Sequence, residues 1–122
     1  MKNIVSKIPN IETLLFSRIK PGTVLNPHRG WANLSNRILR CHLTLQTGKD
    51  NYVAVKNKKK YHKEGKIIIF DDSKLHYSSN LSNKSRIVLI IDVVRPKYVK
   101  KGNSKVKDTP ELISLINNMF SQ

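Results

Sequence analysis

Clusters of turn-forming residues interrupt this 122-residue chain at short intervals and restrict what it can fold into. Lys-Pro-Gly, Thr-Gly-Lys-Asp-Asn, Lys-Glu-Gly, Asp-Asp-Ser-Lys and Asn-Leu-Ser-Asn-Lys each separate two runs rich in apolar and β-branched residues. Short runs with polar turns between them are typical of β-strands. The chain is therefore predicted to be mainly all-β, a sandwich or barrel-like double sheet, with strands over residues 13–19, 23–26, 37–46, 52–56, 66–70, 75–78 and 85–94.

The end of the chain has a different pattern, that of an α-helix. Thr109 is a suitable N-cap, Pro110 suits the first helical position, and apolar residues then recur on one helical face. We expect a C-terminal helix over about residues 109–121 that covers a sheet face, after a basic loop over 97–108. The length of the chain favours one domain, residues 1–122.

The net charge of +15 is compatible with nucleic acid, an anionic membrane surface or an acidic substrate as a partner. Lysine and asparagine are abundant throughout, however, as AT-rich coding sequence tends to produce, and no aromatic-basic RNA motif accompanies the charge. Composition is therefore favoured over dedicated nucleic-acid binding. The densest basic runs, 56–63 and 95–107, are expected to be loops, and His62 in the first of them is expected at the surface.

Cysteine content and hydropathy bear on the location of the protein. Cys41 is the only cysteine and cannot form an internal disulfide, which favours a reducing compartment. No apolar stretch is long enough to span a bilayer, and the N-terminus lacks the continuous apolar core of a signal peptide. We expect a soluble cytoplasmic protein without a membrane span.

The strand predicted over 37–46 has two unlike faces. Alternation places Arg40, His42 and Thr44 on one face. The other face is apolar and contains Leu39, Cys41, Leu43 and Leu45. We expect the apolar set to pack into the core, which argues against Cys41 as a nucleophile. The polar set faces either solvent or a polar ligand, and this strand alone does not separate the two.

A single arginine stands at the start of the apolar strand over 85–94. Arg86 shares a face with Val88 and Ile90 and is expected to point into the molecule. A buried guanidinium costs desolvation free energy unless it has an anionic partner. Because the chain contains only 8 Asp and Glu residues, a bound anionic ligand is a candidate partner.

Two of the four histidines are candidates for binding a metal. His28 and His76 each follow a turn and stand at the end of a predicted strand, where a jelly-roll places ligands at its open mouth. A non-haem iron site usually combines two histidines with a carboxylate in the pattern His-x-Asp/Glu. The position two after His28 is Gly30, so by this template a ligand is missing. Asp71 and Asp72 are expected mainly as turn residues, and one of them is a weaker candidate for a hydrogen bond to a histidine.

Four segments together resemble the aspartyl/asparaginyl β-hydroxylase family of iron(II)- and 2-oxoglutarate-dependent oxygenases. They are FSRIKPGTVLNPHRG, LRCHLTL, EGKIIIFDDSKLH and SRIVLIIDVVRP, in the family's order and near its spacing, over about residues 13–96. The resemblance implies a double-stranded β-helix, a cupin-like jelly-roll. It also implies a metal site in which two histidines hold the iron and a glycine takes the place of the carboxylate, as Gly30 does here.

Matched position by position, the resemblance implies that His28 and His76 are the ligands of Fe(II). Arg86 corresponds to the arginine that binds the distal carboxylate of 2-oxoglutarate, and Ser17 assists it. Arg40 and His42 correspond to the pair that contacts this cosubstrate near the metal.

The leading hypothesis is a dioxygenase that uses Fe(II), 2-oxoglutarate and molecular oxygen to hydroxylate an unactivated C–H bond. An Asp or Asn side chain of a peptide or protein is the favoured substrate, and the basic surface also suits other anionic compounds. One alternative is a non-catalytic cupin-like module that binds a metal or ligand. The other is a basic nucleic-acid-binding β-protein in which the histidines are incidental.

Overall fold

A computed structural model of the chain describes residues 10–107. The predicted C-terminal helix lies outside these residues. Eight strands and one short helix follow in chain order: β1 Ile11–Ile19, β2 Val24–His28, α1 Ala32–Ser35, β3 Ile38–Gln46, β4 Tyr52–Val55, β5 Lys58–Tyr61, β6 Ile67–Phe70, β7 His76–Ser79 and β8 Arg86–Val94. Nothing helical in this part of the chain has the length or the apolar character to cross a membrane.

The strands form two four-stranded antiparallel sheets. The first sheet has the order β1-β8-β3-β6, and the second has the order β2-β7-β4-β5. Consecutive strands mostly alternate between the two sheets, as in a jelly-roll, in which two sheets enclose an interior and leave one end open. The mainly all-β prediction and the double-stranded β-helix implied by the resemblance are both confirmed.

The centre of the molecule lies between the inner faces of the two sheets. Val53 and Val55 of β4 pack there against Ile68 and Phe70 of β6, and all four are buried. Each such side chain contributes roughly 1.5–3 kcal/mol by leaving water. Two members of this apolar cluster, Val53 and Phe70, also line a cavity between the sheets.

The prediction of which β3 face is buried in the core is wrong. Arg40, His42 and Thr44 point between the sheets, where Arg40 and His42 line the cavity. The apolar set lies on the outer face, where Leu45 is exposed and the other three are half-buried; this set comprises Leu39, Cys41, Leu43 and Leu45. Alternation distinguishes two faces of a strand but does not identify the inner one when the interior contains a polar site.

The basic run over 56–63, predicted to be a loop, contains strand β5. Lys56 and Asn57 have positive φ angles of 49° and 66°, which is the backbone of a two-residue hairpin turn. The turn pairs Lys58–Tyr61 with Tyr52–Val55 at the edge of the second sheet. Lysines suit an edge strand because their charge opposes pairing with a further strand. The run therefore has a structural function.

Candidate functional site

A cavity of about 200 Å³ opens between the two sheets. Its lining includes all six residues selected from the sequence, which are Ser17, His28, Arg40, His42, His76 and Arg86. They come from both sheets and from five strands, β1, β2, β3, β7 and β8. The fold therefore brings together groups that are as much as 69 positions apart in the chain (86 − 17).

His28 and His76 face each other at the rim of this cavity. They are directly paired across β2 and β7, and their ring centroids are 4.3 Å apart. His28 Nδ1 lies 2.6 Å from the carbonyl oxygen of Asn26, and His76 Nδ1 lies 2.7 Å from that of Lys74. A carbonyl oxygen only accepts, so each Nδ1 carries a proton and Nε2 is the nitrogen that remains for a metal. Metal-binding histidines are commonly oriented in this way.

Asp72 lies beside His76 and is buried. Its Oδ1 is 3.3 Å from His76 Nε2, and its Oδ2 accepts a hydrogen bond from Ser35. Burial lowers the pKa of His76, so this histidine is neutral near pH 7 and, with its proton on Nδ1, has none to offer Asp72. Two electron-rich atoms, His76 Nε2 and Asp72 Oδ1, thus face each other, and a bound cation would stabilise this arrangement. Asp72 is therefore a neighbour of the site and more than a turn residue.

The same carboxylate explains why residue 30 is glycine. A Cβ on Gly30 would lie 1.9 Å from Ser35 Oγ and 2.0 Å from Asp72 Oδ2. The backbone cannot easily retreat, because Gly30 N–H donates to the carbonyl of Asp72 and the Gly30 carbonyl accepts from Ser104. The place of a third side-chain ligand is occupied by the Ser35–Asp72 pair.

Arg40 already has ionic partners inside the protein. Its Nε and Nη2 each donate to one oxygen of Asp92 over 2.9 Å, and its Nη1 lies 3.3 Å from Asp72 Oδ1. Asp92 is fully buried. Arg40 lines the cavity, and its contact with a cosubstrate remains a prediction.

Arg86 has no carboxylate partner among residues 10–107. It is 3% exposed, its Nη1 donates to Asn51 Oδ1 over 3.3 Å, and its Nε has no hydrogen-bond partner in that range. Burial lowers the pKa of Arg86 to about 10. At neutral pH the cavity therefore contains a buried positive charge that an anionic ligand would stabilise.

His62 lies in the interior, and the prediction of a surface position is wrong. Only 4% of it is exposed, and its Nε2 is 3.3 Å from Nδ1 of His42. The two rings are stacked with centroids 5.6 Å apart, and the backbone N–H of His62 donates to the carbonyl of Asn51. The lysines around His62 in sequence gave no signal of burial; they lie on exposed β5 while the following residue turns inward.

Three buried polar atoms lack a hydrogen-bond partner in the described part of the chain: Thr44 Oγ1, His62 Nδ1 and Arg86 Nε. Buried polar atoms are normally paired, so each of these three atoms is noteworthy. Thr44 follows His42 on the inner face of β3. Arg86 is also one of the residues that the resemblance assigns to cosubstrate binding, whereas Thr44 and His62 do not line the cavity.

The donor set suits a metal held by two histidines. Among residues 10–107 no three His, Cys, Asp or Glu side chains form a complete cage. Two imidazoles that are oriented by carbonyls at Nδ1 and bind an ion through Nε2 would leave most positions around that ion open to small ligands. The residues present therefore fit an open iron site and do not fit a closed structural one.

The buried histidines predict a loss of stability in mild acid. The pKa of His42 is lowered to about 2 and that of His62 to about 4, in both cases chiefly by burial. Between pH 6.5 and pH 5 the unfolded chain binds protons at both residues and the folded chain does not, so folding weakens as the pH falls. The two histidines together should lower the free energy of unfolding by roughly 2–3 kcal/mol over this window.

Urea unfolding of the metal-free protein at several pH values measures this effect. His62→Phe should show a clearly smaller decrease than wild type, since one of the titrating rings is gone. Tyr61→Phe, in the adjacent exposed position, is the matched control and should behave as wild type. An undiminished decrease in His62→Phe would contradict the assignment.

Comparison with known sequences places the chain in a family. A family model described as aspartyl/asparaginyl beta-hydroxylase matches residues 1–96. The chain is 40% identical over 95 residues to an ornithine lipid ester-linked acyl 2-hydroxylase of Rhizobium tropici, covering 75% of this chain and 33% of that protein. It is 36% identical over 83 residues to the human aspartyl/asparaginyl beta-hydroxylase, covering 67% of this chain and 11% of that protein. The chain thus spans a third or less of the length of these two relatives.

Comparison with solved structures concerns the fold. The cupin domain of Cnp3 from Schizosaccharomyces pombe aligns with a TM-score of 0.56 at 11% identity, over 73% of this chain and 56% of that one. This likeness supports the jelly-roll cupin fold alone, since so low an identity carries no chemistry. The family rests on the sequence: with its family-model match over residues 1–96 and its 40% identity to a hydroxylase, the chain belongs to the aspartyl/asparaginyl β-hydroxylase family.

Proposed function

We propose that this chain is an Fe(II)- and 2-oxoglutarate-dependent oxygenase that hydroxylates an unactivated C–H bond. The observation that carries the proposal is that one small cavity contains two histidines whose Nδ1 atoms are held by backbone carbonyls and a buried arginine with no carboxylate partner among the described residues. A metal ion would bind the histidines through Nε2. A dianionic cosubstrate would supply the carboxylate that Arg86 lacks among the described residues.

The metal would be held by His28 and His76, with both tautomers set by backbone carbonyls. Asp72 adds a negative charge beside the ion through its position next to His76. When bound, iron with oxygen and 2-oxoglutarate supplies the oxidising power that converts C–H to C–OH and releases succinate and carbon dioxide.

The cosubstrate would be held at its two ends. Arg86 provides a cation for the distal carboxylate, and Ser17 of neighbouring β1 provides a hydroxyl in the same cavity. His42 offers a ring nitrogen to the ligand. Arg40 contributes positive charge, although its pairing with Asp92 and Asp72 reduces what remains for a ligand.

The size of the cavity separates the cosubstrate from the substrate. Its volume of about 200 Å³ is below the ~300–1,000 Å³ of common small-molecule pockets. A five-carbon dicarboxylate suits that space, while a peptide or acyl chain would have to approach from outside. His28 is exposed, whereas His76 is buried, so the β2 side of the rim is where a substrate C–H bond could reach the metal.

Two substrate classes merit testing. An Asp or Asn side chain of a peptide follows from the family and from the basic surface. An ester-linked acyl chain of a lipid is supported by the 40% identity to an acyl 2-hydroxylase. In both substrate classes a carboxyl-derived group lies close to the carbon to be hydroxylated. The two classes can be assayed under the same conditions.

Anaerobic addition of Fe(II) and 2-oxoglutarate tests the proposed site. We expect a visible charge-transfer absorption band in wild type, its loss in His28→Ala and in His76→Ala, and succinate once oxygen is admitted. Tyr98→Ala serves as a control, because Tyr98 is 89% exposed and does not line the cavity. A band that persists undiminished in both histidine variants would contradict the metal site.

The same experiment separates the two alternatives. A band without succinate, in the presence of both peptide and lipid substrates, would favour a non-catalytic cupin-like binding module. Absence of the band, together with DNA or RNA binding that weakens steeply with salt and is unchanged in the histidine variants, would favour a nucleic-acid-binding protein.

A further inference from the structure

The contact between His42 and His62 links a cavity residue to a buried residue behind it. His42 lines the cavity, and its Nδ1 is 3.3 Å from Nε2 of His62. With Nδ1 occupied in this way, Nε2 is the nitrogen of His42 that remains for a ligand. Burial keeps both rings neutral near pH 7, so each ring carries a single N–H.

One proton therefore lies between the two rings, and it can belong to either of them. If His42 donates through Nδ1, its Nε2 is a bare acceptor that repels a carboxylate. If His62 donates through Nε2, His42 carries its proton on Nε2 and can donate to a carboxylate. The two arrangements have opposite consequences for binding an anion.

The surroundings of His62 favour the second arrangement. Arg86 contributes to lowering the pKa of His62, which means that its positive charge is close enough to act on the ring. With the proton on Nε2, the partnerless Nδ1 of His62 is a lone pair that this charge stabilises. With the proton on Nδ1, that position would be a buried N–H without a well-formed hydrogen bond in residues 10–107, in the field of a cation, although the nearby Asn51 carbonyl acts in the opposite direction and raises the pKa of the ring.

We propose that His62 is a positioning residue for the cosubstrate: its Nε2–H donates to Nδ1 of His42 and thereby holds His42 with an Nε2–H directed to a carboxylate in the cavity. This inference rests on the proposed function and adds a residue to it. His62 contacts no ligand itself, since it does not line the cavity.

Asn51 makes the arrangement rigid. Its backbone carbonyl accepts from the backbone N–H of His62 over 2.8 Å, and its side-chain Oδ1 accepts from Arg86 over 3.3 Å. Its Nδ2 donates to Asn80, which is fully buried. One buried asparagine thus contacts both His62 and Arg86. Because His62 orients His42, the two proposed carboxylate-binding residues, His42 and Arg86, are both positioned through Asn51.

Three variants test the role of His62. His62→Phe keeps a ring of similar shape and removes the donor, whereas His62→Gln can restore an N–H near the position of Nε2. Tyr61→Phe is the matched control in the neighbouring residue, which is 49% exposed. The dissociation constant of 2-oxoglutarate is measured by calorimetry on the Mn(II)-loaded protein, and the ring tautomers are read from long-range ¹H–¹⁵N NMR spectra of the metal-free protein.

We expect the NMR spectra of wild type to show His42 and His62 both protonated on Nε2. His62→Phe should bind 2-oxoglutarate about tenfold more weakly, the typical effect of losing one hydrogen bond to a charged group, and His62→Gln should recover most of that loss. The His42 ¹⁵Nδ1 resonance should shift in His62→Phe and return toward the wild-type position in His62→Gln.

Each remaining outcome has a separate meaning. Protonation of His42 on Nδ1 in wild type, or equal affinity of wild type and His62→Phe for 2-oxoglutarate, would overturn the role of His62 while leaving the proposed function intact. Wild type that fails to bind 2-oxoglutarate at all would overturn the proposed function.

Discussion

Replacing Arg86 with methionine is expected to weaken 2-oxoglutarate binding by about 100-fold or more and, at the same time, to stabilise the ligand-free protein. The first effect follows from removing the cation that we assign to the distal carboxylate. The second follows from burial: Arg86 is 3% exposed, and in residues 10–107 its partner is the neutral Asn51. A methionine of similar length avoids the cost of a buried charge, which should raise the free energy of unfolding by about 1–2 kcal/mol.

Calorimetry with 2-oxoglutarate on the Mn(II)-loaded protein measures the affinity, and urea unfolding without ligand measures the stability. Arg18→Met is the matched control: Arg18 is exposed and lies next to Ser17 on the opposite face of β1. It should leave both quantities near wild type. An Arg86→Met protein that is several kcal/mol less stable, yet still binds 2-oxoglutarate, would show that Arg86 is a structural group.

Replacing Gly30 with alanine should destabilise the protein by about 3 kcal/mol or more and disturb iron binding. The added methyl would lie 1.9 Å from Ser35 Oγ and 2.0 Å from Asp72 Oδ2, and both of those residues are buried. Relief requires moving Asp72, which also contacts Arg40 and His76. Urea unfolding and titration with Fe(II) under anaerobic conditions measure the two effects.

Gly22→Ala provides the comparison for this substitution. Gly22 has a φ of +84° but nothing lies within 4 Å of an added Cβ. The Gly22→Ala substitution therefore costs only backbone strain of about 1 kcal/mol. Gly30→Asp, which restores the usual His-x-Asp pattern, should be at least as harmful as alanine and should not tighten metal binding. If Gly30→Asp folds normally and binds iron more tightly, the steric explanation for the glycine is wrong.

The fold could be predicted from turn chemistry, but which face of a strand points into the interior could not. Polar turn clusters gave most of the strands, and the resemblance supplied the jelly-roll. In β3 the alternation was correct and its direction was not, because the interior contains Arg40 and His42 instead of apolar residues. Strand β5 was not predicted because lysines carry no preference for a strand. The hairpin turn before it is recognisable only in the structure, from the positive φ angles of Lys56 and Asn57.

The positions of the site residues followed from the resemblance, and their partners did not. His28, His76 and Arg86 line one cavity, and their roles in binding stay predictions. His62 lies among lysines in the sequence, and only tertiary structure turns it toward His42. Asp92 was within reach of sequence reasoning, since it stands six residues after Arg86 and therefore on the same face of β8.

The ion pair between Arg40 and Asp92 has a consequence for how sequences of this kind diverge. The two residues are directly opposite on β3 and β8, and each carboxylate oxygen of Asp92 accepts a hydrogen bond from the Arg40 guanidinium. Loss of either partner alone strands a buried charge, whereas loss of both leaves a space that apolar side chains can fill. Across natural homologues we therefore expect these two positions to be inherited together or lost together, and an alignment should record them as a coupled pair.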